Sequence, residues 1–138
     1  AELIGLQNGP CDMACIYDGR CGLGDYSPLF NPMTYRPHKA YYVFCAFNEL
    51  RRRGTAVNAV SDDRNVWAAA ARNGEGGALM VANDSDREVG LALEVGRRKA
   101  VSHLLTDADR TNVRFSGAPV VLPPHAFCVI LFGTEKER

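Results

Sequence analysis

From residue 55 onward, short apolar runs alternate with clusters of turn-forming residues. The runs at 56–60, 65–71, 77–82, 88–95, 100–105, 112–115, 120–122 and 127–132 each have the length and boundaries of a β-strand. Between them lie Ser-Asp-Asp-Arg, Asn-Gly-Glu-Gly-Gly, Asn-Asp-Ser-Asp and Gly-Arg-Arg-Lys. These segments are rich in residues that accept positive φ or bond their own backbone. Strands at such short, regular intervals predict an antiparallel β-sandwich. The run Val66-Trp67-Ala68-Ala69-Ala70-Ala71 has helical propensity, but its length and flanking turns favour a strand. Pro123 and Pro124 bar sheet pairing just before the last strand.

The first 54 residues read differently, being aromatic, proline-rich and irregular apart from one helical stretch. Pro37 suits the first turn of a helix, and Arg51, Arg52 and Arg53 followed by Gly54 supply a cationic last turn and a glycine stop. A helix is therefore predicted over residues 38–53. Its residues 40–47 are all apolar or aromatic and leave no polar face, which calls for burial on more than one side unless Tyr41 and Tyr42 reach solvent through their hydroxyls. Residues 13–17, Met-Ala-Cys-Ile-Tyr, read as a short buried strand, and 18–36 as a long loop. Strand, loop and helix make half of a repeating α/β unit, and a parallel strand finds no partner in an antiparallel domain. The expectation is a chain divided at residue 54: 1–54 as the terminal strand, loop and helix of a truncated barrel, and 55–138 as the sandwich.

With 138 residues, the chain is too short for a whole (β/α)8 barrel, which takes about 250. Sixteen basic residues balance sixteen acidic ones, so no net field draws in a polyanion, and nucleic acid is not an expected partner. The longest apolar run, residues 40–47, is far below the ~20 residues of a membrane span, and the opening Ala-Glu-Leu-Ile lacks the basic and apolar regions of a signal peptide. Five cysteines, Cys11, Cys15, Cys21, Cys45 and Cys128, leave at least one thiol unpaired within the chain. Cys11, Cys15 and Cys21 with His38 lack the paired spacing of structural zinc motifs, so neither a metal nor a cofactor is expected. Cys45 and Cys128 sit among apolar residues, as small buried hydrophobes do.

A resemblance runs through Ile16-Tyr17-Asp18-Gly19-Arg20, then Leu29-Phe30-Asn31-Pro32-Met33-Thr34-Tyr35-Arg36-Pro37-His38-Lys39-Ala40-Tyr41-Tyr42, then Phe47-Asn48-Glu49-Leu50 and Gly54. These residues are similar to the closing segment of clan A glycoside hydrolases of the family 39 and arabinofuranosidase type. In that segment the eighth barrel strand ends in a tyrosine and an aspartate, and the eighth helix leads into a β-sandwich. The run from Leu122-Pro123-Pro124 to Leu131 resembles the proline-containing last strand of the same sandwich. The resemblance implies a mainly β fold, an antiparallel sandwich preceded by a strand-loop-helix segment like the end of a (β/α)8 barrel. It also gives the orphan strand and the all-apolar helix one cause, a missing barrel.

Glycoside hydrolysis needs two carboxyl groups flanking the scissile bond. In clan A they lie on the fourth and seventh barrel strands, so the resemblance implies that neither catalytic acid is in this chain. Tyr17, Asp18 and Arg20 would fall where the eighth strand meets the active-site face and would line the sugar pocket of an intact enzyme. Read from the residues alone, Asp18 is an ordinary loop aspartate capping the turn at Gly19. Asp62, Asp63, Asp84 and Asp86 read as solvated turn residues, and no nucleophile motif accompanies His103 or His125. Trp67 is a candidate platform for stacking a sugar ring, with a place in the sandwich core as its other reading.

Two functions follow as expectations. One is a non-catalytic C-terminal accessory domain that packs on and stabilises a catalytic barrel of the same parent chain. The other is an independent carbohydrate-binding module, with polysaccharide as the partner and an aromatic strip on its surface. A thiol-dependent or metal enzyme would be a third class, marked by a low-pKa cysteine or bound zinc. Action on polysaccharide would put the parent outside the cell or in a periplasm. The apolar helix, exposed without its barrel, predicts that the chain self-associates.

Overall fold

A computed structural model describes residues 1–15 and 29–133. Two helices, α1 (Glu2–Asn8) and α2 (Lys39–Arg53), precede eight strands: β1 (Thr55–Val57), β2 (Val66–Asn73), β3 (Gly76–Asn83), β4 (Val89–Gly90), β5 (Ala100–Thr106), β6 (Val113–Ser116), β7 (Val121–Leu122) and β8 (Phe127–Phe132). All pairings are antiparallel. A six-stranded sheet runs β1-β2-β3-β8-β5-β6, and β4 pairs with β7 in a two-stranded sheet. The mainly β, antiparallel sandwich expected from the strand spacing is the fold of the chain.

The large sheet is the middle layer. On one face α1 and α2 press Ile4, Ala46 and Leu50 onto Ala69, Ala71, Ala78, Met80, Ala82 and Val129. On the other, Val66, Val81, Leu105, Cys128, Ile130 and Phe132 meet Val89 and Leu122 of the small sheet. Strands β3 and β8 lie at the centre and are buried on both faces. Their sequences, GGALMVAN and FCVILF, are therefore near-continuous apolar runs rather than alternating ones. The alanines beneath the helices keep the sheet surface low, which lets α2 lie close to it.

The boundaries depart from expectation in instructive ways. Pro37 does not open α2; it bridges Phe30, and His38 is the extended residue before the first turn. At the other end Arg51, Arg52 and Arg53 face the carbonyl dipole, and Gly54 at φ 79° turns the chain away while its N–H reaches the Arg51 carbonyl. The strand expected at 88–95 shrinks to β4, because β7 offers only two residues before Pro123 ends it. Residues 91–95 still alternate between half-buried and exposed, but beyond the bond from Leu91 N–H to Val120 O nothing pairs with them. The strand expected at 56–60 is likewise only β1. Of the strand expected at 13–17, Met13, Ala14 and Cys15 are exposed and unpaired, while Ile16 and Tyr17 lie outside the described residues.

Helix α1 was not foreseen. Seven residues with a glycine inside are weak as an isolated helix. What holds it is tertiary: Ile4 is fully buried in the sheet core, and Gly5 lies against Trp67, where a Cβ would stand 3.2 Å from Cζ3.

Asn83, at the end of β3, closes the sandwich at one end. It is 2% exposed, and its Nδ2 donates to the carbonyls of Arg87, Leu122 and Pro123, while its Oδ1 accepts from the Ser85 hydroxyl at 2.6 Å. One side chain thus ties the β3–β4 turn to the strand end that leads into β8. Replacement by alanine leaves buried carbonyls unpaired, and we expect Asn83→Ala to lose about 2–3 kcal/mol in urea unfolding. A loss within experimental error would show that water replaces the amide without cost.

Candidate interaction surface

Helix α2 turns Val43, Ala46, Phe47 and Leu50 toward the sheet, at the i, i+3, i+4, i+7 spacing of one helix face. Its other aromatics, Tyr41, Tyr42 and Phe44, lie outside that core contact. Residues 29–38 form a tight loop built on Asn31, whose Oδ1 accepts from the N–H groups of Met33 and Thr34, both at 2.9 Å. The loop is closed by backbone bonds from His38 N to Leu29 O and from Asn31 N to Arg36 O, with Tyr35 in the left-handed region at φ 55°. This lays Phe30 on Tyr41, ring centroids 5.2 Å apart, and Tyr41 meets Tyr42 edge-on at 5.4 Å. Around these rings Met33, Tyr35 and Phe44 stand exposed, Tyr35 at 76%. Interaction with the Cys45 thiol one turn on, ahead of the other causes, holds the Tyr41 phenol above its ordinary pKa. The first two turns of α2 are thus covered by the sheet on one side only.

The N-terminal end of α2 is fixed to the opposite edge of the sheet. Lys39 Nζ donates to the carbonyls of Asp107 and Ala108 in the β5–β6 turn. Asp107 is buried and organises that turn by accepting from the N–H groups of Asp109 and Arg110 and from Arg110 Nε at 2.7 Å. Burial pushes its carboxyl upward, but the hydrogen bonds from Arg110 and Asp109 and the Arg110 charge outweigh that and hold it below its ordinary value.

The sequence-predicted site residues are not brought together. Tyr17, Asp18 and Arg20 lie outside the described residues, as does Cys21. Trp67 is 38% exposed and points to the helix side of the sheet, with α1 at Gly5 against its ring. Phe115, on the edge strand β6, stacks on His103 at 5.1 Å and has the Arg110 guanidinium 5.8 Å from its centroid. His103 itself is buried, its Nδ1 at 2.9 Å from Gly117 O. The His125 ring meets Asp86, and Asp63 caps its own turn through Asn65 N and pairs with Arg87. Between β2–β3 and residues 87–95 an open groove of about 1090 Å³ is lined by aliphatic residues such as Leu79, Leu91 and Leu93 and by charged ones such as Asp62, Arg72 and Glu94; its one aromatic, Phe132, is buried.

Cys11 and Cys15 are exposed thiols, Cys45 is half-buried, and burial pushes the Cys128 thiol up to about 12, the reverse of an activated nucleophile. Among the described residues no three His, Cys, Asp or Glu side chains gather as metal ligands would. No helix of the described chain is long and apolar enough to cross a membrane. The surface that sequence reasoning did mark is the aromatic face of α2, through its all-apolar run. The part played by the 29–38 loop in extending it was not legible, because Asn31 turn chemistry gives no sign of where Phe30 will land.

No protein-family model and no curated protein sequence matches the chain. Two solved structures share its fold. A glycoside hydrolase family 30 endoxylanase from Clostridium papyrosolvens C71 aligns with a TM-score of 0.63 at 16% identity, over 76% of this chain and 30% of the xylanase. A family 30 subfamily 8 xylanase from Clostridium acetobutylicum aligns with a TM-score of 0.62 at 18% identity, over 78% and 31% respectively. The chain therefore spans less than a third of the length of either enzyme. At this identity the likeness is one of fold alone.

The lowered pKa of Asp107 sets a pH dependence. Its contribution is complete above the unfolded carboxylate value of about 3.9 and is lost as pH falls through the lower folded value. We expect the stability of the chain to fall in acid below about pH 4, and Asp107→Asn to reduce that slope while lowering stability near neutrality. An unchanged acid slope in the variant, followed by circular dichroism, would assign the effect to other carboxylates.

Proposed function

We propose that the chain is the non-catalytic C-terminal accessory part of a clan A glycoside hydrolase, residues 55–138 forming the sandwich and 1–54 leading into it from a catalytic barrel of the same parent protein. Its role is to pack on that barrel and stabilise it. The observation that carries this reading is α2, which is clamped to the sheet by Val43, Ala46, Phe47 and Leu50 and carries, outside that contact, the Phe30–Tyr41–Tyr42 ring cluster and the exposed Phe44. A helix with aromatic residues on both sides fits between two bodies. The two xylanases, in which this fold makes up about 30% of the chain, support the same arrangement. Family 39 and arabinofuranosidase-type enzymes remain our choice for the parent on the Tyr17 to Leu50 resemblance. Such a parent acts on polysaccharide outside the cell or in a periplasm.

On this reading Tyr17, Asp18 and Arg20 contribute to the sugar pocket only in the intact enzyme, and the catalytic acids belong to barrel strands elsewhere in the parent. An independent carbohydrate-binding module is the weaker reading, because it needs a free ring to stack on a sugar face. On the sandwich, Trp67 has α1 against it, Phe115 has His103 and Arg110 beside it, and the one aromatic of the large groove, Phe132, is buried.

Two measurements test the proposal. In the source cells, an immunoblot against this sequence should detect a polypeptide several times larger than 15.1 kDa; a band at that mass would sink it. In the isolated chain, Tyr41→Ser with Phe44→Ser should shift a concentration-dependent sedimentation profile toward monomer and leave the fold unchanged. Calorimetry with xylan and arabinan oligomers should give no heat, whereas saturable binding would favour the module.

A further inference from the structure

We propose that the tip of the β2–β3 hairpin is a site of spontaneous modification, at which the Asn73 amide is converted to a carboxylate. The chain has two Asn-Gly steps, Asn8-Gly9 and Asn73-Gly74, and their surroundings differ in each respect that matters to the reaction. In the first step of deamidation the backbone nitrogen of the glycine, losing its proton to hydroxide, attacks the asparagine Cγ. Ammonia leaves and a five-membered succinimide closes. Water then opens the ring to aspartate or isoaspartate, so the balance is amide plus water to carboxylate plus ammonium.

At Asn8 both reacting groups are occupied: Nδ2 donates to Ala68 O at 3.1 Å, and Gly9 N–H donates to Leu6 O at 3.3 Å. At Asn73 no acceptor among the described residues meets the Gly74 N–H or the Asn73 Nδ2. The Asn73 Oδ1 instead accepts from Glu75 N–H at 2.9 Å. That donor polarises the carbonyl under attack and is placed to stabilise the negative charge that builds on Oδ1, as an oxyanion-hole donor does. Gly74 is exposed, with nothing within 4 Å of where a Cβ would be.

Peptide mapping after incubation in mildly alkaline buffer should find a mass gain of one unit in the peptide containing Asn73, arising about tenfold faster than in the peptide containing Asn8. Gly74→Ala, which the open space and ordinary φ at that position accommodate, should suppress it. Equal rates at the two asparagines, or a gain that survives Gly74→Ala, would overturn the site.

Discussion

The constraint on which the fold depends is that its central sheet is apolar on both faces. Strands β3 and β8 bury Met80 and Val129 toward the helices and Val81, Cys128 and Ile130 toward the small sheet. Neither face can be left to water, since each large apolar side chain buried there contributes about 1.5–3 kcal/mol. Both coverings follow from this. α2 and the seven-residue α1 are held by the face they cover, and the two-residue strands β4 and β7 persist because Val89 and Leu122 plug the other face and Asn83 secures their turns. The small elements have little stability of their own and take it from the sheet.

That dependence explains what sequence alone could and could not reveal. The eight strands were legible because turn chemistry punctuates them, and β8 was read to its residue limits because Pro123 and Pro124 stand before it and Gly133 after it. α2 was legible from its arginine-glycine end. α1 was not, because what places it is the burial of Ile4 and the fit of Gly5 on Trp67, a contact across more than sixty positions of sequence. The 88–95 run was overread for a related reason. Its alternation, kept in the half-buried positions 91, 93 and 95, makes a strand only where a partner edge exists, and β7 ends after two residues.

The functional surface follows the same division. An all-apolar run at 40–47 announces that α2 needs neighbours, but not which side each ring takes. The sheet takes Val43, Ala46 and Phe47, while the Asn31-based loop brings Phe30 to Tyr41 on the other side. The anchoring of that surface was invisible in sequence, because Lys39 reaches backbone carbonyls of the β5–β6 turn, and those carry no residue signature. Tyr17, Asp18 and Arg20 belong to a region outside the described residues, and their role rests on resemblance.

Scaffold and sugar binder differ in what an aromatic ring has beside it. A lectin-like platform leaves a ring face bare and surrounds it with hydrogen-bonding groups matched to hydroxyls, whereas a docking surface gathers rings edge-to-face and surrounds them with more apolar area. Here the rings on the sandwich, Trp67 and Phe115, have protein against them, and the bare apolar area is concentrated on α2 and the 29–38 loop, with Met33 among its most exposed members. The Asn31 Oδ1 is taken up by N–H groups of its own loop. Apolar area of this kind is what the proposed packing on a barrel would cover.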